Sequence, residues 1–428
     1  MNIDFYDNKK IAVFGLGISG TSVAHFLLDK GADVVVWDEN KNKLDDITEK
    51  NLKISNLNKA DLKQFDFIVV SPGISNENPI CKNAIKNKIP LIGEVQLLWE
   101  TNRQAKYIGI TGTNGKSTTT ALISHILNTA KIKNVVGGNF GTPAVSLEKL
   151  NKGEFYILEM SSYMLERTPN VNFDISLFIN LTSDHLQWHK TMDNYFNAKA
   201  KIFNNMKDDN TPIICTDDKY GKKLDKQINH KNKITVSAKD IKKSYDNLKG
   251  KHNNQNIACA VAVAKQVGID EDTIENAIKS FKGLKHRQQI IKDDNNILFI
   301  NDSKATNPVS ATNALSSYKN IYLIAGGQEK DSDYTILSKN IKNVIKVFVI
   351  GENSKNLLNY LETTKIPYEN CQTLENATLK AYETAKKNNK DIKKVILLSP
   401  ACASFDKFKN FEHRGDCFIK IVESLNND

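Results

Sequence analysis

Short apolar runs along the chain end in glycine or polar residues. Amphipathic stretches of helical period follow them, the alternation of a parallel α/β protein. Lys10–Phe14 (KIAVF) reads as a strand running into Gly15-Leu16-Gly17-Ile18-Ser19-Gly20, with a helix behind it (TSVAHFLLDKG). A second strand, Ala32–Trp37, ends at Asp38, and a third, Phe65–Val70, stops at Ser71-Pro72-Gly73. The rhythm restarts at Lys106–Ile110 (KYIGI), which opens into Thr111-Gly112-Thr113-Asn114-Gly115-Lys116-Ser117 and a helix (TTTALISHILNTA). Strands are expected at Phe155–Leu158 and Ile175–Ile179, surface hairpins and loops over the polar stretch Asp217–Gly250, and a helix over Asn254–Val267. A third restart brings strands at Ile297–Ile300, Ile321–Ile324, Val347–Ile350 and Val395–Leu398, with a helix over Leu374–Lys387. The reading is three α/β domains: a Rossmann-like domain over residues 1–93, a central mononucleotide-binding domain with a P-loop over 94–296, and a second Rossmann-like domain over 297–428. No short internal repeat and no long heptad pattern interrupts this order.

Composition supports the count and narrows the class. A chain of 428 residues and 48.0 kDa fits about three domains of roughly 150 residues. Apolar residues at 40% and charged residues at 25% describe globular domains. Of 59 basic residues only four are arginine (Arg103, Arg167, Arg287, Arg414). The net charge of +10 is therefore dispersed lysine on a solvated surface, not the clustered arginine of a nucleic-acid reader. A weak pull on a small anionic substrate is the other use for it. Six cysteines form no CxxC pair, which points to a reduced compartment and away from zinc knuckles. The first ten residues lack an apolar signal-peptide core, and no apolar run reaches membrane-spanning length. A cytoplasmic monomer is expected.

Two turns carry phosphate chemistry. Gly112–Ser117 lies between a strand and a helix, where backbone N–H groups and a helix N-terminus face an anion. Lys116 suits β/γ-phosphates and the Ser117 hydroxyl suits Mg²⁺. The strict pattern asks for glycine where this chain has Ile110, so the match is to the GK[ST] half and its context. Gly15, Gly17 and Gly20 fit GxGxxG with Asp38 closing the next strand. The pattern accommodates a dinucleotide, another diphosphate such as a UDP-type ligand, or close packing alone.

Polar clusters mark further strand ends. Glu159 follows the FYIL strand, and His185 lies in Asn180-Leu181-Thr182-Ser183-Asp184-His185. Two strand ends of one sheet can converge on a metal, with Asp184 orienting His185 or standing by the ion. His185 and His189 have the spacing of a zinc pair but lack the glutamate of HExxH. In the third domain, Asn301–Asn307 (NDSKATN), Ala325–Lys330 (AGGQEK) and Ser399–Ser404 (SPACAS) occupy the usual ligand edge of a parallel sheet. Lys304, Lys330 and Ser404 together suit a small dicarboxylate or a phosphate.

Several motifs resemble those of the Mur ligases of peptidoglycan synthesis. They are TGTNGKSTT at 111–119, NFGTP at 139–143, EMSSYMLE at 159–166 and DH at 184–185. GLKHR at 283–287, NDSKATN at 301–307 and SPACASFDKFKNFEHRGD at 399–416 narrow the likeness to the D-glutamate-adding branch. The DNPR motif of the diaminopimelate- or lysine-adding branch is absent. The resemblance spans essentially the whole chain.

That resemblance implies ATP and Mg²⁺ as cofactors, with UDP-N-acetylmuramoyl-L-alanine and D-glutamate as substrates. Gly112, Thr113, Asn114, Gly115, Lys116, Ser117 and Thr118 would cradle ATP phosphates. Ser117, Glu159 and His185 would serve the metal, together with Lys199 as a carbamylated lysine. His252, Asn253 and Asn256 resemble an ATP-side HNxxN stretch, and Arg287, Asp302 and Lys304 would approach ATP from the third domain. Ser19, Asp38, Ser71 and Gly73 would line the uridine-diphosphate end, and Asn139 would contact the same substrate. Thr306, Lys330, Ser404 and Phe411 would frame D-glutamate. Two departures stand out: Gln187-Trp188 where the family often has an acidic and then a basic residue, and Asp331 in place of a glycine after Lys330.

The implied chemistry is an acyl phosphate made from ATP and captured by an amine, with Lys116, Arg287 and Mg²⁺ offsetting charge. No residue is assigned as the base. Closure of the third domain would exclude water from the acyl phosphate. The competing readings are a Rossmann oxidoreductase, which leaves Gly112–Ser117 unexplained, and a nonenzymatic nucleotide switch. A folylpolyglutamate synthase lacks such a leading domain.

Overall fold

The computed structural model describes residues 6–45, 52–245, 248, 250–329, 333–351, 354–388 and 390–425. Compactness divides the chain into two units. One comprises Met1–Lys242 with Gln255–Ile278, the other Lys243–Asn254 with Lys279–Asp428.

The first unit holds two parallel sheets. The leading sheet is made of β1 (Lys10–Phe14), β2 (Asp33–Trp37), β3 (Lys53–Ile54), β4 (Phe67–Val70) and β5 (Leu91–Ile92), in the order β3-β2-β1-β4-β5. Alternate residues of β1 enter opposite cores. Ile11 and Val13 pack with Val23, Leu27 and Val34 on one face, and Ala12 and Phe14 with Ile68, Ile80 and Leu62 on the other. Both faces being covered, the strand reads as a continuous apolar run. The chain leaves β1 toward one edge and returns to fill the other. The carboxyl end of β1, where Gly15–Gly20 begins, is thus a topological switch point.

The second sheet comprises β6 (Lys106–Thr111), β7 (Asn134–Gly138), β8 (Phe155–Glu159), β9 (Ile175–Phe178), β10 (Thr211–Cys215) and β11 (Ile234–Val236). Its order is β11-β10-β9-β6-β8-β7. Strand β6 is central, and its carboxyl end is the switch point of this sheet. The polar stretch after Asp217 is not a set of hairpins. It holds helix Lys219–Gln227 and then β11, which pairs in parallel with β10. Asp218 starts that helix by accepting from the amides of Tyr220 and Gly221. Its heavy lysine content belongs to the solvent face, with Gly221 and Leu224 buried beneath.

The second unit contains β12 (Gln289–Asp294), β13 (Ile297–Asn301), β14 (Ile321–Gly326), β15 (Val344–Ile350), β16 (Tyr368–Gln372) and β17 (Lys394–Leu398), in the order β12-β13-β17-β14-β15-β16. β12 runs antiparallel to β13, so the sheet begins upstream of residue 297. Leu298, Ile300, Leu323, Val347 and Leu397 face one core, and Ile297, Phe299, Ile324, Phe348 and Ile396 face the other. No helix among the described residues is long and apolar enough to cross a membrane. The expected helix Leu374–Lys387 is present with those bounds, and the one expected at Asn254 starts earlier, at Lys251.

Candidate active site

The phosphate loop forms where β6 ends. Gly115 precedes helix Lys116–Thr129 in the left-handed region, φ 82°. A β-carbon there would lie 2.1 Å from Asn256 Oδ1, so backbone and space both call for glycine. Just past β9, Asn180 shapes the loop. Its Oδ1 accepts from the amides of Thr113 (3.2 Å) and Asn114 (2.9 Å), and its Nδ2 donates to Asn114 O (3.1 Å). The same Nδ2 donates to Gln255 Oε1 at 2.8 Å. Thr118 lies in the first turn of the helix, and Thr119 Oγ1 donates to Asn256 Oδ1 at 3.3 Å.

Hard oxygen chemistry surrounds the start of this helix. Ser117 Oγ donates to Glu159 Oε2 at 2.5 Å, and Asn139 Nδ2 donates to Glu159 Oε1 at 2.6 Å. Glu159 ends β8 and is only 2% exposed. Lys116 Nζ folds over the loop, donating to Gly112 O (2.8 Å) and Thr113 O (2.9 Å). Lys199, on helix Met192–Ala200, donates its Nζ to the same Gly112 carbonyl at 2.8 Å. Burial above all, and then the charge of Lys116, holds its pKa well below the usual lysine value. A buried carboxylate beside a hydroxyl and a helix N-terminus fits Mg²⁺, whose remaining ligands come from phosphate and water. No group of three or more His, Cys, Asp or Glu side chains that could hold a metal is found among the described residues.

His185 is exposed and held at φ 54°. Its ring stands edge-on to Tyr163 at 5.2 Å and to Tyr195 at 6.0 Å, and its amide donates to Asp184 Oδ1 at 2.8 Å. His189 has other partners. Its Nε2 meets Ser162 Oγ at 2.9 Å, and its ring stacks on Tyr163 (5.6 Å) and Tyr195 (5.0 Å). Burial, helped by the charges of His185 and two lysines, lowers its pKa to about 4 and keeps it neutral. Trp188 packs against Tyr163 at 4.5 Å, whereas Gln187 is exposed.

At the end of β1, Asp38 receives the amides of Leu16 (2.7 Å) and Asn40 (2.8 Å), and Ser71 Oγ donates to Gly15 O at 2.8 Å. A β-carbon on Gly20 would fall 1.7 Å from Gly15 O, so this turn is closely packed. Gly73 is exposed with open space around it. Glu94, buried at the start of helix Glu94–Thr101, has its pKa raised by burial, an effect that neighbouring Ser19 and the amide of Ala144 oppose. Arg167 ties the two sheets of this unit together, with Nη2 on Ile74 O (3.3 Å) and its carbonyl accepting from Gly93 N (2.8 Å).

The second unit gathers its own polar set. Asp302, buried at the end of β13, accepts from Ser399 Oγ (2.8 Å) and Gln288 N (3.1 Å), and burial pushes its pKa up to about 7. Arg287 is half-buried and acts on Asp302 through its charge. Lys304 Nζ lies 4.0 Å from the Phe411 ring centroid, Thr306 N donates to Lys304 O, and Ser404 is buried. His252 Nε2 faces Gln288 Nε2 at 3.2 Å, with burial lowering its pKa to about 4. Asn253 is buried on the same helix. Lys330 and Asp331 lie outside the described residues.

Sequence reasoning passed over Asn180, Gln255, Tyr163, Tyr195 and Glu94. Asn180 had a signal, since a polar amide directly after a buried strand beside a glycine loop needs a partner. The aromatic stack had none, because its rings come from separate segments.

The Mur ligase MurD-like N-terminal domain matches residues 9–93, the Mur ligase middle domain residues 110–274, and the Mur ligase glutamate ligase domain residues 286–402. The UDP-N-acetylmuramoylalanine–D-glutamate ligase of Rickettsia prowazekii (strain Madrid E) is 37% identical over 442 residues, covering 97% of this chain and 98% of the relative. That of Zymomonas mobilis is 37% identical over 440 residues, covering 98% of each. Among solved structures, MurF from Acinetobacter baumannii superimposes with a TM-score of 0.62 at 16% identity, covering 99% of this chain and 92% of that one. The UDP-N-acetylmuramate-alanine ligase MurC of Thermotoga maritima gives 0.58 at 19% identity, covering 98% and 100%. These two likenesses speak for the fold alone. With all three domains matched in order and close relatives aligned end to end, the chain belongs to the Mur ligase family, ATP-dependent enzymes of peptidoglycan synthesis, and to its MurD-like branch.

Proposed function

We propose that the protein joins D-glutamate to UDP-N-acetylmuramoyl-L-alanine, cleaving ATP to ADP and phosphate. The observation that carries this reading is the Glu159 carboxylate, which receives Ser117 Oγ on one oxygen and Asn139 Nδ2 on the other. One buried group thus touches the phosphate-loop helix and the residue assigned to the acceptor. The names of the relatives supply the substrates.

The acceptor's carboxylate oxygen attacks the γ-phosphorus of ATP, the bond to the β-phosphate oxygen breaks, and ADP leaves. The amine nitrogen of D-glutamate attacks the resulting acyl carbon, the carbon–oxygen bond breaks, and inorganic phosphate leaves. The ammonium proton passes to solvent or to a base not assigned here. Mg²⁺ supplies Lewis-acid neutralisation of the phosphate charge when bound. Ser117, Glu159 and His185 are assigned to hold it, with Lys199 as its carbamate. Lys199 suits that modification because burial lowers its pKa and so favours the neutral, nucleophilic amine. Nitrogen of the neutral amine bonds to the carbon of CO₂, a proton leaves, and the new carboxylate places an anion beside the loop. Lys116 stabilises the transferring phosphoryl group.

His252, Asn253 and Asn256 are assigned to the ATP side, and Arg287, Asp302 and Lys304 to ATP from the third domain. Thr306, Lys330, Ser404 and Phe411 are assigned to D-glutamate, and Ser19, Asp38, Ser71 and Gly73 to the uridine diphosphate. ADP release with the nucleotide acceptor and a panel of D- and L-amino acids tests the reading. Release that depends on D-glutamate supports it, and release with another amino acid alone overturns it.

A further inference from the structure

The carboxyl edge of the second sheet carries a line of side chains that the proposed chemistry leaves without a role. It crosses four neighbouring strands, β11, β10, β9 and β6. Just past β11, Ser237 Oγ and the Ala238 amide donate to the Asp217 carboxylate at 2.7 and 2.8 Å. Asp217, just past β10, receives Gln255 Nε2 on Oδ2 at 3.2 Å and the Cys215 thiol on the same oxygen at 3.3 Å. Gln255 comes from helix Lys251–Val267 and passes the contact on through Oε1, which accepts from Asn180 Nδ2 at 2.8 Å. Asn180, just past β9, takes the Thr113 and Asn114 amides of the phosphate loop on its Oδ1. Gln255 and Asn180 are both buried, so these bonds are sheltered from competing water.

A primary amide keeps nearly the same shape when its oxygen and nitrogen are exchanged, so its partners decide which way it faces. Both ends of this line have fixed polarity. Burial pushes the Asp217 pKa up, but the hydrogen bonds from Ser237, Ala238, Cys215 and Gln255 outweigh it and hold the group below the ordinary aspartate value, as an ionised acceptor. At the far end, the backbone amides of the loop can only donate. Between an end that only accepts and an end that only donates, two amides have one arrangement in which every bond is made. Gln255 turns its nitrogen to Asp217, and Asn180 turns its oxygen to the loop. The carboxylate thus sets, two side chains away, how the phosphate loop is held.

We infer that Gln255 and Asp217 are positioning residues for phosphoryl transfer, keeping Asn180 oriented so that Thr113 and Asn114 hold the loop ready for ATP. This role rests on the reading of the loop as the ATP site.

Steady-state ADP release by the full-length protein, with ATP, the nucleotide acceptor and the amino acid varied in turn, tests it. Gln255→Glu keeps the size of the side chain and sets an oxygen against Asp217. Gln255→Met removes both hydrogen bonds without adding charge. Each should raise KM for ATP about fivefold or more, the equivalent of one lost hydrogen bond, and leave the other two KM values within about twofold. Asp217→Asn in the Gln255→Glu background separates the facing charges and offers a nitrogen to the new carboxylate. The double variant should therefore raise KM for ATP by less than the product of the two single effects. An unchanged KM for ATP in both Gln255 variants, equal rises in all three KM values, or independent effects in the double variant would each overturn the assignment. Where one Gln255 variant does not fold, the other carries the comparison. A parent enzyme that does not turn over ATP would sink the ligase reading and this role with it, whereas a flat KM for ATP in active variants sinks the positioning role alone.

Discussion

Lys199 Nζ and the carbonyl of Gly112 are 2.8 Å apart, which places a wholly buried lysine directly on the phosphate loop. Burial above all, and then the charge of Lys116, holds its pKa well below that of a surface lysine, which favours the neutral amine. Lys199→Ala should lower kcat for ADP release by about 10²–10³-fold, the range of one lost electrostatic contributor. Added short carboxylic acids should restore part of the rate by supplying the missing carboxylate. Steady-state kinetics with and without acetate checks this, and an unimpaired variant would remove Lys199 from the site.

Glu159 bridges two uncharged groups, the Ser117 hydroxyl and the Asn139 amide. Glu159→Gln keeps the shape and removes the charge. The Mg²⁺ concentration giving half-maximal rate should rise, and kcat should fall by roughly 10²-fold or more. A Mg²⁺ titration of ADP release reads both quantities.

Gly115→Ala meets two obstacles, a left-handed φ of 82° and a contact of 2.1 Å to Asn256 Oδ1. Nucleotide affinity and melting temperature should both drop, the backbone alone costing about 1–2 kcal/mol. Adding Asn256→Ala removes the collision but not the torsional cost. The double variant should therefore recover stability in part, as differential scanning calorimetry would show.

Asp302 has a folded pKa of about 7, raised by burial. Its unfolded value is about 3.9, so between those limits the native state binds the extra proton. Its contribution to stability is complete below the unfolded pKa and is lost as pH rises toward 7. Urea unfolding from pH 4 to 8 should show this decline. Asp302→Asn should flatten that part of the profile.

Arg414 satisfies four acceptors on Ser303, Ala403 and Cys402, all inside the protein. Arg414→Met strands them and should cost on the order of 3 kcal/mol or more. Arg414→Lys should recover little, since one ammonium cannot reproduce a planar fork. Chemical unfolding curves distinguish the two.

The strands that position chemistry were legible because each is buried on both faces and reads as an unbroken apolar run, as in KIAVF and KYIGI. Edge strands escaped notice for the opposite reason. β11 has three residues of mixed burial, and β12 (QIIKDD) is half solvent-exposed and ends in two aspartates. The glycine loops were legible because φ and close contact leave few residue choices. Lys199 was not, since in a lysine-rich chain nothing local separates a buried lysine from a surface one. The family resemblance named it, and the fold brings residue 199 to residue 112. His189 escaped for a similar reason, since its neutrality comes from rings and charges contributed by other segments.

The Arg167 clamp on Ile74 and Gly93 ties together the two sheets that carry the glycine turns. On the proposed reading, an acceptor held by its nucleotide at the first turn and required to present an acid at the second would be gauged like a key against a fixed stop. Tails too short fall shy of the phosphorus, and tails too long overshoot it. On that reading, selection among precursors of different peptide length would follow from rigid construction, with no need for a pocket that recognises each residue.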